Sequence, residues 1–490
     1  MKPKVIVAFD LGTTGNRVMA FNRDGTVAAR SYYEFPQIFP QAGWVEHEPQ
    51  AILKTSLQAF QDVAAIVGPE NIECIGITNQ RETSILWDKN SGQPVHNAIV
   101  WQDRRTGKMC RQLAVHQELI KQKTGLFLDP YFSATKISWL INQVPGVKEK
   151  IDRGEIIFGT PDTWLLWNLT GGKAHATDPS NASRTLLFDI NQMHFDQELL
   201  KIFDIPAAIL PEVRDSDAIF GLLDKKFVGR EIPITGILGD QQAALLAQCG
   251  WDKDLAKVTY GTGIFAMANT LKELCRSERL VTTVAWKIGG EVNYALEGSI
   301  FIGGAALQWL RDGLQIIDQA SDSESMANAL ESNEGVYFVP ALQGLGAPYW
   351  DPQARGLIIG LTRKTTTANI ARAALEAMAY QVREVVDEMQ VTMKQKLAVA
   401  RVDGGAAANN FLMQFQADIA RIAIERTTMN ETTALGAAGV SGFRAKFWSK
   451  EEFKKIITKD RIFQPQLDEK ISADYYDKWR QAVQRSLRWA

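Results

Sequence analysis

Two aspartates, an Arg-Glu pair and three glycine turns are the parts of this sequence best suited to chemistry. Asp10 ends the apolar run Val5–Asp10 and is followed by Gly12-Thr13-Thr14-Gly15-Asn16. Glycine lets a backbone approach a phosphate, successive N–H groups form an anion nest, and threonine hydroxyls add donors. Gly261-Thr262-Gly263 and Gly404-Gly405 repeat the pattern after Lys257–Tyr260 and Ala398–Asp403. One such turn is ordinary; three at strand ends, one directly behind an acid, favour phosphate binding over ordinary turns. Asp10 has the hard oxygens that suit Mg²⁺ through water, or it caps its own turn. Asp240 follows the run Ile234–Leu238 and precedes a helical pattern. It fits a helix N-cap as well as an acceptor for a hydroxyl proton. Arg81-Glu82, directly after Ile72–Thr78, form either a surface ion pair or a donor and acceptor for a small polyol.

The elements that must position these groups alternate in type. Val5–Asp10, Arg17–Phe21 and Thr26–Tyr32 are separated by turns, which predicts a β-meander and not the strand–turn–helix of a Rossmann or Walker loop. Further strands are predicted at Ile72–Thr78, Ala98–Trp101, Ile156–Gly159 and Ile234–Leu238, with a helix over Ala243–Cys249. After this the logic restarts: strands at Lys257–Tyr260, Val292–Leu296 and Ala398–Asp403, and helices opened by Gly303-Gly304-Ala305, over Ala368–Met389 and over Phe411–Ala420. The small-residue run Ala434–Gly439 permits close backbone approach. The expectation is an α/β protein of two lobes, 1–250 and 251–490, with a boundary near 248–254 and a cleft between them.

Bulk properties exclude some classes. The 490 residues carry 54 Lys+Arg against 56 Asp+Glu, with no basic excess that would mark a nucleic-acid partner. The N-terminus lacks a signal-peptide pattern and no apolar stretch spans a membrane, so a cytoplasmic location is expected. Cys74, Cys110, Cys249 and Cys275 are widely spaced and form no metal-ligand cluster.

Several longer stretches carry a resemblance: Asp10-Leu-Gly-Thr-Thr14, Ile77-Thr-Asn-Gln-Arg-Glu-Thr83, Val100-Trp-Gln-Asp-Arg-Arg-Thr106, Asp129-Pro-Tyr-Phe-Ser133, Gly239-Asp-Gln-Gln-Ala-Ala-Leu245, Tyr260-Gly-Thr-Gly263, Gly344-Leu-Gly-Ala-Pro-Tyr-Trp-Asp351 and Val402-Asp-Gly-Gly405. From Val5 to about Trp448 the chain resembles the FGGY carbohydrate kinases, and among them the members that act on glycerol. The resemblance implies two actin-like, ribonuclease-H-like lobes. It implies ATP with Mg²⁺, glycerol as acceptor, sn-glycerol 3-phosphate and ADP as products, a role in glycerol catabolism, and a homodimer or homotetramer. It assigns Asp240 as general base. It assigns Arg81, Glu82, Tyr131, Asp240 and Gln241 to the glycerol hydroxyls, and Trp101 and Phe265 to its carbons. Thr13, Thr14, Gly15 and Arg17 form the first phosphate hairpin. Thr262, Gly304, Gln308, Gly405 and Asn409 form the second-lobe nucleotide site, and Asp10 with Asp240 the metal position.

There are departures from the family pattern. Leu11 stands where glycerol-acting members usually have Gln, Gly15-Asn16 where they have Ser-Ser, and Ile264 where they have Cys. Lys225–Arg230 does not match the Gly-rich loop with which some members bind fructose 1,6-bisphosphate. Two other readings stay open on the residues alone. One is a kinase of the same family for a pentulose or longer polyol. The other is an actin- or chaperone-like nucleotide switch with no phosphoryl acceptor.

Overall fold

The computed structural model describes residues 3–429 and 431–490. The chain divides into two compact units. The first comprises Met1–Ala247, Thr282–Tyr294 and Glu431–Ile456; the second comprises Gln248–Val281, Ala295–Asn430 and Ile457–Ala490. The first break, between Ala247 and Gln248, lies beside the predicted boundary. The lobes are nevertheless not the two contiguous stretches 1–250 and 251–490, because two later segments return to the first unit.

In the first unit, strands β1 (Val5–Leu11), β2 (Gly15–Phe21) and β3 (Val27–Glu34) form the predicted meander. Strands β4 (Ile72–Asn79), β5 (Gly221–Leu223) and β6 (Ile232–Gly239) complete a sheet ordered β5-β6-β4-β1-β2-β3. β4 pairs in parallel with both β1 and β6. The apolar, β-branched runs suit strands covered on both faces. On one face Val7, Phe9, Ile75, Ile77 and Ile237 pack with Ile52, Phe60 and Val63 of helix α1 (Pro49–Val67). The register sets Leu11 beside Asn79 and Asn79 beside Gly239. Three strand ends therefore finish together. From them run the Gly12 turn, the Gln80–Thr83 loop and Asp240, the first residue of a helix. In the same unit are α2 (Ser133–Gln143) and the short α3 (Pro179–Ala182), ahead of this helix, α4 (Asp240–Gln248). Trp101 lies in a turn after Ala98–Ile99, two residues beyond the strand, which is shorter than predicted.

The second unit repeats the arrangement. β7 (Leu255–Tyr260) and β8 (Ile264–Leu271) form an antiparallel hairpin through Gly261-Thr262-Gly263. β9 (Val399–Asp403) and β10 (Ala423–Thr427) follow in parallel beside β7, and β11 (Lys459–Phe463) closes the edge. Around this sheet are α5 (Ala305–Asp312), α6 (Thr367–Met393) and α7 (Asn410–Ala420). A capping box between Thr366 and Asn369 starts the 27-residue α6. Among the described residues no helix is long and apolar enough to cross a membrane.

Helix α8 (Thr432–Arg444) belongs to the first unit and covers the other face of its sheet. Its glycines explain how closely it lies. A Cβ at Gly436 would stand 1.9 Å from the Ala243 carbonyl oxygen, and one at Gly442 would stand 2.9 Å from Ile6. Gly436→Ala is therefore expected to destabilise the first unit by about 2 kcal/mol or more. Gly405→Ala, where an added Cβ meets nothing within 4 Å, is the control and should leave the melting curve nearly unchanged. Thermal denaturation of the two variants against the parent checks this.

Candidate active site

Arg81 and Glu82 are buried at the end of β4, with side chains only 2% exposed. Arg81 Nε lies 3.1 Å from Asp240 Oδ1, and Arg81 Nη1 donates to Gln242 Oε1 at 3.1 Å. Its Nη2 reaches the Tyr131 hydroxyl at 3.5 Å. Gly239 makes room for this: a Cβ there would stand 2.8 Å from the Arg81 side chain. The surface-pair reading of Arg81-Glu82 is thereby excluded, since charges this deep persist only when paired and hydrogen-bonded. The Asp240 side chain is 28% exposed and accepts from the Gln241 N–H at 2.7 Å.

Glu82 adopts a left-handed backbone, with φ 61. The Thr83 N–H donates across it to the Arg81 carbonyl at 2.7 Å, a strained positive-φ γ-turn. Ser84 and Ser133 hydroxyls both donate to the Glu82 carbonyl and hold the turn. Sequence reading missed Arg184, a lone arginine in a loop with no local signal. It is fully buried, its Nε donates to Glu82 Oε1 at 2.6 Å, and its guanidinium lies 5.6 Å from the Tyr131 ring centre and 5.2 Å from that of Phe132. Asp240, Arg81, Glu82 and Arg184 thus form a chain of alternating charge. Beneath Tyr131 the buried Lys136 ammonium donates to the carbonyls of Tyr131 and Phe132, and burial pulls its pKa down to about 7.

Trp101 joins this group to the first glycine turn. Its indole N–H donates to Thr13 Oγ1 at 3.0 Å, and its ring meets Tyr131 edge to face at 5.7 Å. The Gly12 N–H donates to the Gly15 carbonyl and closes the turn; Thr14 is exposed. Gly15 carries no side chain for a packing reason. A Cβ there would stand 2.6 Å from the Tyr33 carbonyl oxygen. Asn16 instead anchors the hairpin to α1, donating to the Ile52 carbonyl and to Thr55 Oγ1. Asp10 and Arg17 face each other across β1 and β2 at 4.0 Å. Burial pushes the Asp10 carboxyl up to about 6; Arg17 opposes this, while the negative charges of Asp240 and Glu431 add to it. Among the described residues no group of three or more His, Cys, Asp or Glu side chains could hold a metal ion. The donors at this end of the sheet are hard carboxylate oxygens in mutual repulsion, which fits a hydrated divalent cation.

The second unit gathers a glycine-lined surface at the ends of β7 and β9. The Gly303 and Ala305 N–H groups donate to the Thr262 carbonyl, and the Gly304 N–H to the Gly261 carbonyl. Gly304 precedes α5, whose first turns include Gln308, and Gln308 is exposed. Gly404 has φ 91, and a Cβ on it would stand 2.5 Å from the Tyr260 carbonyl oxygen. Gly405 and Thr262 are exposed. Asn409 caps α7 by accepting from the Leu412 N–H. These residues make an anion-tolerant backbone surface. Phe265, on β8, belongs to this unit and is half-buried.

The N-terminal domain of the FGGY family of carbohydrate kinases matches residues 5–247, and its C-terminal domain matches residues 256–445. The chain is 53% identical over 488 residues to glycerol kinase of Aquifex aeolicus, covering 99% of both chains. It is 51% identical over 491 residues to that of Thermococcus kodakarensis, covering 99% of this chain and 98% of the other. A crystal structure of Plasmodium falciparum glycerol kinase with ADP superposes with a TM-score of 0.92 at 37% identity, covering 99% of this chain and 98% of the other. A ligand-bound xylulose kinase from Lactobacillus acidophilus, 21% identical, shares the fold with a TM-score of 0.87, covering 98% and 97% of the two chains.

The Asp10 charge makes a pH prediction. Its folded pKa of about 6 exceeds the ordinary 3.8, so the contribution is full below pH 3.8 and is lost as pH rises through about 6. Ionised Asp10 then costs about 3 kcal/mol at neutral pH. Asp10→Asn is expected to raise the melting temperature at pH 7.5 in the presence of a chelator. The gain should shrink to nothing near pH 4, as a pH series of thermal melts reads out.

Proposed function

The chain belongs to the FGGY family of carbohydrate kinases, with its two-domain actin-like fold, and from that premise we propose that it transfers the γ-phosphoryl group of ATP to glycerol, giving sn-glycerol 3-phosphate and ADP. The observation that carries the reading is the buried charge chain Asp240–Arg81–Glu82–Arg184 with Tyr131 beside it. It offers acceptors and donors to a molecule that is almost all hydroxyl. Arg81 donates to a polyol oxygen, Glu82 accepts from one, and the Trp101 ring covers carbon. A longer sugar needs more polar partners than this compact set provides. A site that pairs specific hydroxyls rejects analogues lacking them by as much as about 10⁴-fold.

Asp240 takes the proton of the attacking hydroxyl. Its exposed Oδ is free to face substrate while Arg81 fixes the other oxygen, and a positioned base of this kind contributes about 10²–10⁴-fold. Thr13, Thr14, Gly15 and Arg17 contribute donors for the terminal phosphates. Thr262, Gly304, Gln308, Gly405 and Asn409 bind the rest of the nucleotide, and Gln241 belongs with the acceptor site. Asp10 and Asp240 would hold Mg²⁺, which when bound neutralises charge on the phosphates. With four free cysteines, three of them buried, the protein suits a reducing cytoplasm. The homodimer or homotetramer expected from the family belongs to the same reading.

Asp240→Asn is expected to keep its fold and nucleotide binding and to lose at least about a hundredfold in kcat. Near-normal turnover would remove the base assignment. Arg81→Ala should raise the glycerol KM strongly and the ATP KM little, as steady-state kinetics in both substrates would measure. A panel of glycerol, pentuloses and longer polyols, read by ADP release, separates this reading from its relatives. ADP release indifferent to any polyol would instead mark a nucleotide switch.

A further inference from the structure

Asp178 is a buried carboxylate that the reaction does not touch. Its surroundings are neutral donors. Oδ2 accepts from the Ser180 N–H at 3.0 Å and from the Ser216 hydroxyl at 2.7 Å. Oδ1 accepts from the Asn181 N–H, the Asn181 side-chain amide and the Ser180 hydroxyl, at 3.0, 3.0 and 2.8 Å. The two backbone bonds cap the four-residue helix α3. A cap alone needs one side-chain acceptor, and serine or asparagine would supply it. The side-chain donors go further, because each also holds a strand of the catalytic sheet.

Ser180 Oγ accepts from the Gly239 N–H at 2.9 Å, and Gly239 is the residue before Asp240. Asn181 Oδ1 accepts from the Asn79 side chain at 3.0 Å, and the same Asn79 amide donates to the Gln80 carbonyl at 2.8 Å. Asn79 ends β4, two residues ahead of Arg81. Ser216 accepts at its carbonyl from the Ile237 N–H of β6, and at its hydroxyl from the Lys287 N–H. One carboxylate therefore lies one side chain away from both strand ends that present the site. All of these groups are buried except Lys287.

We infer that Asp178 is a positioning residue for phosphoryl transfer: through Ser180 and Asn181 it fixes the ends of β6 and β4, and so sets Asp240 against Arg81 and Glu82. The inference rests on the reading of Asp240 as the base. Its chemistry requires an acceptor-only group. Each carboxylate oxygen takes a backbone N–H, so an asparagine in either orientation turns its NH₂ group against one of them. A small shift at Gly239 then moves the base. Misplacement of about 1 Å at a reacting group costs about a hundredfold. Burial pushes the Asp178 carboxyl up to about 6 while its donors oppose this, consistent with a charge held in place without a cation.

The test uses Ser180→Ala, Ser180→Thr, Asp178→Asn and Asp240→Asn in the full chain, each corrected for its folded fraction. Ser180→Ala removes the acceptor for the Gly239 N–H and little volume. It should lower kcat by about tenfold or more with the ATP KM nearly unchanged, and Ser180→Thr should restore most of it. Asp178→Asn should show the same kcat loss, larger in size; if it fails to fold, the serine pair carries the test. A kcat for folded Ser180→Ala within twofold of the parent, beside an inactive Asp240→Asn, would overturn this inference alone. An active Asp240→Asn would overturn the base reading and this inference with it.

Discussion

The contact between Arg81 and Asp240 is the constraint on which the site depends. Arg81 Nε lies 3.1 Å from Asp240 Oδ1 and so fixes the direction of that carboxylate. The Arg81 side chain is itself almost wholly buried and needs partners in turn. Glu82 and Gln242 supply them, and Glu82 is matched by Arg184. The result is two cations and two anions in a nearly neutral buried set. Removing one of its three buried members, Arg81, Glu82 or Arg184, leaves an uncompensated buried charge, which costs about 3–5 kcal/mol. Stability and the substrate recognition proposed for this site thus rest on the same group of side chains.

The backbone accommodates this set at two places. Gly239 lacks the Cβ that would collide with the Arg81 side chain. Glu82 accepts a positive φ so that consecutive charged residues can point in the directions the chain of ion pairs needs. Both are strained or permissive positions at strand ends, where backbone amides are also free of the sheet ladder. The Thr13–Trp101 hydrogen bond ties the first glycine turn to the aromatic pair Trp101–Tyr131, so the two parts of this strand-end region are mechanically continuous.

The two units use one plan with different chemistry. Each begins with an antiparallel hairpin closed by a glycine turn, and each adds parallel strands on the same side of it. The first unit fills its strand ends with charge. The second lines its own with glycines, of which Gly263 and Gly404 stand too close to neighbouring carbonyls for any side chain. Such a surface brings backbone groups close to whatever binds there, which suits an anion.

Much of this was legible in the sequence because it is local. Periodicity and turn residues located the meander, the strand before Asp240 and the long helix, since each depends on neighbours a few residues away. Arg81-Glu82 and Asp240 were recognisable as chemistry-bearing groups, although their pairing was not, because 158 residues of chain lie between Arg81 and Asp240. The tertiary structure alone decided the rest. It placed Arg184 on Glu82, made Asp178 a hub for two strands, and explained Gly15 by the Tyr33 carbonyl. It also returned Thr282–Tyr294 and Glu431–Ile456 to the first unit. Those facts depend on which distant surfaces meet, and a single side chain in a loop carries no periodic signal of the partner it will find.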